Sequence, residues 1–119
     1  MIQKTSILVP SDKCGVFTVN TFHLYRGFLR KSSGFGEFIK VSIRKIKPEN
    51  KLKKKAKRKA IIVRTLRGIS FHDGSFIRFN YNSAVILKKR LTPEGKEIFG
   101  PILRNLRKKK FRSTFPGLI

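Results

Sequence analysis

Glu37-Phe38-Ile39-Lys40-Val41-Ser42-Ile43-Arg44-Lys45-Ile46 is the stretch that decides the fold. Ile39, Val41 and Ile43 fall on one side of an extended chain and Lys40, Ser42 and Arg44 on the other, which is the two-residue period of a strand with one covered face. The apolar side belongs to a core, and the polar side faces solvent or a ligand. Working outward, further β-branched and aromatic runs bounded by turn residues occupy Ser6 to Val9, Val16 to Tyr25, Ala60 to Leu66, Phe76 to Phe79 and Ala84 to Leu87. Asp73-Gly74 predicts a tight turn ahead of Phe76. Together these runs predict a mainly β chain, a small antiparallel sheet or barrel. Phe17, Phe38, Phe76 and Phe79, inside strand patterns, are assigned to the core.

Two segments break this texture. Between Ile46 and Ala60 the chain passes Pro48 and then Lys51-Leu52-Lys53-Lys54-Lys55-Ala56-Lys57-Arg58-Lys59, with almost nothing apolar to anchor it, so residues 46–60 are expected to project as a basic loop or ribbon. After Pro93-Glu94-Gly95, Gly100-Pro101 opens a third texture: Pro101 suits a first helical turn, and Ile102, Leu103 and Leu106 recur at helical spacing. A short helix is expected there, ending in Arg107-Lys108-Lys109-Lys110, whose cations suit a helix C-terminus. No repeat or Gly/Ser linker divides the chain. It is read as one domain over 1–119, with the β-rich body at about 1–90 and the helical segment at about 100–119.

The charge balance narrows the function. The 119 residues carry 29 Lys+Arg against 6 Asp+Glu, a formal +23, and such self-repulsion calls for a polyanionic partner. With no apolar run long enough to span a membrane and no long basic amphipathic helix, nucleic acid fits better than a bilayer. Disorder is the bland alternative for so basic a chain, but 39% hydrophobic residues including 11 Phe point to a folded core. The cations are also clustered. Lys40 to Lys59 holds eleven Lys/Arg against the one acid Glu49, and Arg104 to Arg112 holds six against none. Solvated faces usually mix signs, whereas phosphate binding by counterion release needs unbalanced density. The RNA-binding candidates are therefore Arg44, Lys45, Lys47, Lys51, Lys53, Lys54, Lys55, Lys57, Arg58 and Lys59 in the ribbon, and Arg104, Arg107, Lys108, Lys109, Lys110 and Arg112 near the end. Arg64 and Arg67, beside the strand that follows the ribbon, join them. Phe28 and Phe35, in the Gly-rich loop Arg26 to Gly36, are candidates for stacking on bases, set against the commoner role of packing beneath a loop.

Catalysis finds little support. The carboxylates Asp12, Glu37, Glu49, Asp73, Glu94 and Glu97 mostly stand beside Gly, Pro or Lys in turn-like settings. His72-Asp73-Gly74-Ser75 has the residue types of a triad, yet neighbours within one turn cannot easily converge on a single atom. Cys14 is single, which rules out an intramolecular disulfide and a thiolate zinc site. Lys13 beside it could lower its thiol pKa, although a small residue filling a turn is the commoner use. No metal or other cofactor is implied. The start, Met1-Ile2-Gln3-Lys4-Thr5, shows neither the apolar core of a signal peptide nor the Arg/Ser-rich pattern of a transit peptide, so the chain is expected to be made where it works.

The chain resembles a known family, the universal large-subunit ribosomal protein numbered fourteen. The residues that carry the resemblance are Ala60-Ile61-Ile62-Val63, then nine residues, Asp73-Gly74, four residues, Phe79, two residues, Asn82, two residues, and Val85-Ile86. Met1-Ile2-Gln3, Val63-Arg64-Thr65, and Ile98-Phe99-Gly100-Pro101 with Arg104 and Leu106-Arg107 agree as well. The resemblance implies a five-stranded β-barrel with a projecting β-ribbon and short C-terminal helices, acting as a non-catalytic constituent of the large subunit. It implies contact with large-subunit rRNA and neighbouring ribosomal proteins, a bridge to small-subunit rRNA, and a surface for a ribosome silencing factor.

Departures from the family pattern also stand out. The usual Asp-Asn-Ser-Gly-Ala appears as Asp12-Lys13-Cys14-Gly15-Val16, the ribbon's Lys-Lys-Gly-Asp as Lys54-Lys55-Ala56-Lys57, and Arg-Glu-Leu-Arg as Arg104-Asn105-Leu106-Arg107. Lost acids and added cations suggest extra rRNA contact. The divergence, with many Phe, Ile and Lys, resembles the product of an AT-rich organellar genome, and the expected location is the mitochondrion, with plastid or bacterial cytoplasm as alternatives. Two other functional classes are compatible with a small basic barrel: a free-standing RNA chaperone or assembly factor, which would leave the mature particle, and a small nuclease or RNA-modifying protein, the nuclease depending on Asp73 or His72.

Overall fold

A computed structural model describes residues 2–11, 15–25, 31–48, 55–88 and 100–101. Among the described residues, nine strands run in order: β1 (Ile2–Gln3), β2 (Ile7–Pro10), β3 (Val16–Leu24), β4 (Ser32–Ser33), β5 (Phe38–Ile46), β6 (Lys57–Arg64), β7 (Ile69–Ser70), β8 (Phe76–Ile77) and β9 (Ser83–Leu87). Five of them close into a barrel in the order β2-β3-β5-β6-β9. Four of the five pairings are antiparallel; the closing one, between β2 and β9, is parallel. The expected five-stranded barrel is therefore present. The helix expected after Gly100 lies outside the described residues.

The β5 alternation works as its residues dictate, with Ile39, Val41 and Ile43 each at most 1% exposed inside the barrel. They meet Leu8, Val16, Val19, Leu24, Ala60, Ile62, Ala84 and Ile86, and Ile2 of β1 completes the cluster. Burial of an Ile or Val side chain contributes roughly 1.5–3 kcal/mol, so this ring dominates the stability of the barrel. In β6 and β9 the alternation disappears. Ile61, Val63, Val85 and Leu87 lie on the opposite face from Ala60, Ile62, Ala84 and Ile86, yet they are equally buried. Both faces of these two strands are covered, which is why Ala60-Ile61-Ile62-Val63 is a continuous apolar run.

A five-stranded barrel needs strong local curvature, and β-bulges provide it. The β3–β5 ladder shifts register between Val16 and Thr18, between Thr18 and Val19, and between Thr21 and His23. These shifts change the phase of β3, so that the inward residues are Val16, Val19, Thr21 and Leu24. Phe17, expected in the core, is accordingly turned out at 53% exposure, and Phe76, next to the 73–74 turn, is 56% exposed. Phe38 and Phe79 are half-buried. At the seam, the Val9 N–H donates to Asn82 O (3.4 Å), the Ser11 N–H to Ala84 O (3.0 Å), and Ser83 Oγ–H to Val9 O (2.7 Å). Pro10, which has no N–H, thus presents its nitrogen away from β9, on the side where the β2–β3 ladder pairs only Ile7 and Leu8.

Candidate nucleic-acid interface

The β5–β6 pair is the structural root of the basic ribbon. Phe38 to Ser42 pair with Ile61 to Lys57. Beyond them the Lys55 N–H donates to Ile43 O (2.8 Å) and the Ile43 N–H to Ala56 O (3.1 Å). Two residues thus oppose one, with Lys55 at φ 63°. This is a bulge whose first position ordinarily holds glycine. The glycine-demanding position is Lys55, one residue before Ala56, where the family resemblance places it. On the other arm, the Lys47 N–H donates to Gly15 O (2.9 Å) and ties the ribbon base to the turn before β3.

Pairing fixes what faces outward. Across β3, β5 and β6 the outer rows read Asn20–Ser42–Lys57 and His23–Lys40–Lys59, followed by Tyr25, Phe38 and Ile61 at the end of the sheet. None of the three strands contains an acidic residue. Lys40 and Lys59 stand directly opposite one another, a like-charge cross-strand pair that costs stability. Aromatic rings lie among these cations. Lys59 Nζ is 4.5 Å from the Phe38 ring centroid and 5.1 Å from that of Tyr25, while Lys57 Nζ is 5.9 Å from that of Phe22. The His23 ring meets Tyr25 edge-on at 4.8 Å. Phe22 and Tyr25 remain 37% and 47% exposed.

Of the cations proposed from sequence, Arg44, Lys45, Lys47, Lys55, Lys57 and Arg67 are exposed, and Arg58 and Lys59 are half-buried. Arg58 follows the inward phase of β6, opposite Val41. Lys51, Lys53, Lys54, Arg104, Arg107, Lys108, Lys109, Lys110, Arg112 and Phe28 lie outside the described residues. Phe35 is half-buried in the turn before β5. The aromatic members of the face, Phe22, His23 and Tyr25, were not singled out from sequence. The one local sign of them is Leu24, an apolar residue in the same phase as polar Asn20, which betrays the bulge that turns Tyr25 outward.

Arg64 does something different from what its charge suggested. It is 2% exposed. Its Nε–H donates to Pro101 O (3.1 Å) and its Nη1–H to the Tyr81 hydroxyl (2.8 Å), and the guanidinium lies 5.4 Å from the Tyr81 ring centroid. Burial lowers its pKa from the ordinary arginine value, and Tyr81 opposes the shift; arginine starts so high that it stays charged. Gly100, at φ 77°, lets the chain pass over this group, because a Cβ there would collide with the guanidinium. Arg64 therefore clamps residues 100–101 to the barrel.

The His72-Asp73-Gly74-Ser75 cluster is a turn. Asp73 Oδ1 accepts from the Ser75 N–H (3.0 Å) and Ser75 Oγ–H (2.6 Å), and these bonds lower the Asp73 pKa. With Gly74 at φ 90° it joins β7 to β8. Among the described residues, no group of three or more His, Cys, Asp or Glu side chains is placed to hold a metal ion.

Comparison with known proteins agrees with this geometry. The family model described as ribosomal protein L14p/L23e matches residues 1–115. The large ribosomal subunit protein uL14m of Tetrahymena pyriformis is 50% identical over 119 residues, covering 100% of both chains. The closed five-stranded barrel agrees with these matches over the full length of the chain, which belongs to the ribosomal protein L14p/L23e family, as a structural, non-enzymatic constituent of the large ribosomal subunit.

Proposed function

We propose that the chain binds large-subunit rRNA through the β5–β6 ribbon and the outer face of the barrel beside it, and that it does so in a mitochondrial ribosome. The observation that carries the reading is the acid-free pairing of β5 with β6, which sets Lys40, Lys57 and Lys59 on one outer face, with exposed Arg44 and Lys45 farther along β5 and no acidic residue on either strand. A folded protein gains nothing from such crowding unless an anion relieves it. The mitochondrial location is supported by the name of the Tetrahymena relative. The barrel serves as a rigid platform, and its cations neutralise phosphates by releasing condensed counterions. Neighbouring ribosomal proteins, contact with small-subunit rRNA across an intersubunit bridge, and docking of a silencing factor are finer parts of the proposal and rest on the family resemblance.

The test is the salt dependence of binding to large-subunit rRNA fragments. Replacing Lys53, Lys54, Lys55 and Lys57 together by Ala is expected to weaken binding and to flatten the slope of log K against log salt by about 0.7–0.9 for each phosphate no longer neutralised. An unchanged slope would show that the ribbon lysines meet solvent or protein.

A further inference from the structure

Charge alone does not account for the outer face of β3, β5 and β6. Phosphate neutralisation needs cations, whereas this face also keeps Phe22 and Tyr25 in solvent, 37% and 47% exposed, directly beside its lysines. The rings are held. His23 meets Tyr25 edge-on, and the lysine ammonium groups lie 4.5–5.9 Å from the ring centroids of Phe22, Tyr25 and Phe38. Lys57 and Lys59 thereby lie within reach of an aromatic surface.

We propose that this face is a stacking platform for unpaired RNA bases, with Tyr25 and Phe22 as the stacking rings and Lys40, Lys57 and Lys59 as partners for the flanking phosphates. The inference rests on the RNA-binding reading above and adds to it the class of RNA, single-stranded, and the residues that select it. Three features favour this occupant over a protein. Cores of protein interfaces are depleted in lysine, and here a lysine lies over each of the two rings, Lys57 over Phe22 and Lys59 over Tyr25. The directly opposed Lys40 and Lys59 are relieved by one bridging phosphate, which an apolar partner could not supply. Interleaved rings and cations on a small barrel are also the arrangement that binds single strands with little sequence preference, because every base has a π face. A duplex keeps its bases stacked internally and offers these rings nothing to stack on.

The test uses the full chain with two probes of matched length, an oligouridylate of about 12 nucleotides, within the range small barrels bind, and an RNA duplex. The chain has no tryptophan, so Tyr25→Trp introduces a single reporter on the platform. Its emission is expected to be quenched by the single strand and left unchanged by the duplex. In parallel, Phe22→Leu with Tyr25→Leu keeps every cation and is expected to lower single-strand affinity about tenfold at an unchanged salt slope, with duplex affinity preserved. A silent tryptophan together with equal affinities of wild type and the double variant overturns the platform while leaving phosphate-based RNA binding intact. Unchanged affinity of the double variant for both probes, with loss of its incorporation into large subunits, assigns the face to a protein neighbour and overturns it as well. If the wild-type chain binds neither probe, the RNA-binding proposal itself fails, a result distinct from both.

Discussion

The two ends of strand β6 carry the same kind of side chain and use it in opposite ways. At its start, Lys57 and Lys59 face outward over aromatic rings, with no acid on their own or the adjoining strands. At its end, Arg64 is buried and bonded to Tyr81 and Pro101. Lys57, Lys59 and Arg64 are all cations in a basic chain. What separates them is cover. The first half of β6 pairs with the outward-facing polar positions of β5, whereas the second half is covered on both faces, so a cation there persists only if its donors are satisfied. Guanidinium suits that place because its fixed fork reaches a carbonyl and a hydroxyl at once.

If this contrast is right, removing the buried cation costs stability and removing an exposed one does not. Arg64→Ala is expected to lower unfolding free energy by about 2–4 kcal/mol, since it leaves a carbonyl and a hydroxyl without their donor and opens a cavity; chemical denaturation checks it. A loss under about 1 kcal/mol would mean the clamp is idle. Gly100→Ala attacks the same clamp from the other side, by forcing a Cβ into the guanidinium and a side chain into the left-handed region, and is expected to cost about 1–3 kcal/mol.

At the other end of β6 the sign reverses. Lys55→Gly should stabilise the folded chain by about 1 kcal/mol, because a side chain at φ 63° is relieved of left-handed strain. A drop in the melting temperature would indicate that the Lys55 side chain holds the ribbon base. Lys40→Glu replaces the repulsion across from Lys59 with attraction and is expected to add up to about 1 kcal/mol of stability while weakening RNA binding. That pairing of outcomes, read by thermal melts and by RNA titration on the same protein, is what marks a surface shaped for a ligand. If stability and binding rose together, the lysine pair would have no functional standing.

Local periodicity made much of this legible in the sequence. The alternation of Glu37 to Ile46 identified the strand and its inward residues, because side chains of a regular strand must alternate whatever the rest of the chain does. The Asp73-Gly74 turn was equally local, since a two-residue signal with a left-handed glycine needs no distant partner. The unbalanced cations over 40–59 pointed to a polyanion for the same kind of reason, as net charge does not depend on fold.

Tertiary structure alone decided which cations and rings face outward. Bulges in β3 change its phase, putting Phe17 in solvent and Tyr25 on the basic face, and a bulge depends on the curvature that barrel closure imposes. Arg64 could not be told from its basic neighbours by sequence, because its partners stand 17 and 37 residues away. The parallel seam between β2 and β9, bonded across 74 residues, carries no local signature at all. Composition and alternation determined that this chain is a basic β protein whose charge calls for a polyanion; closing the barrel determined which of its cations and rings reach the surface.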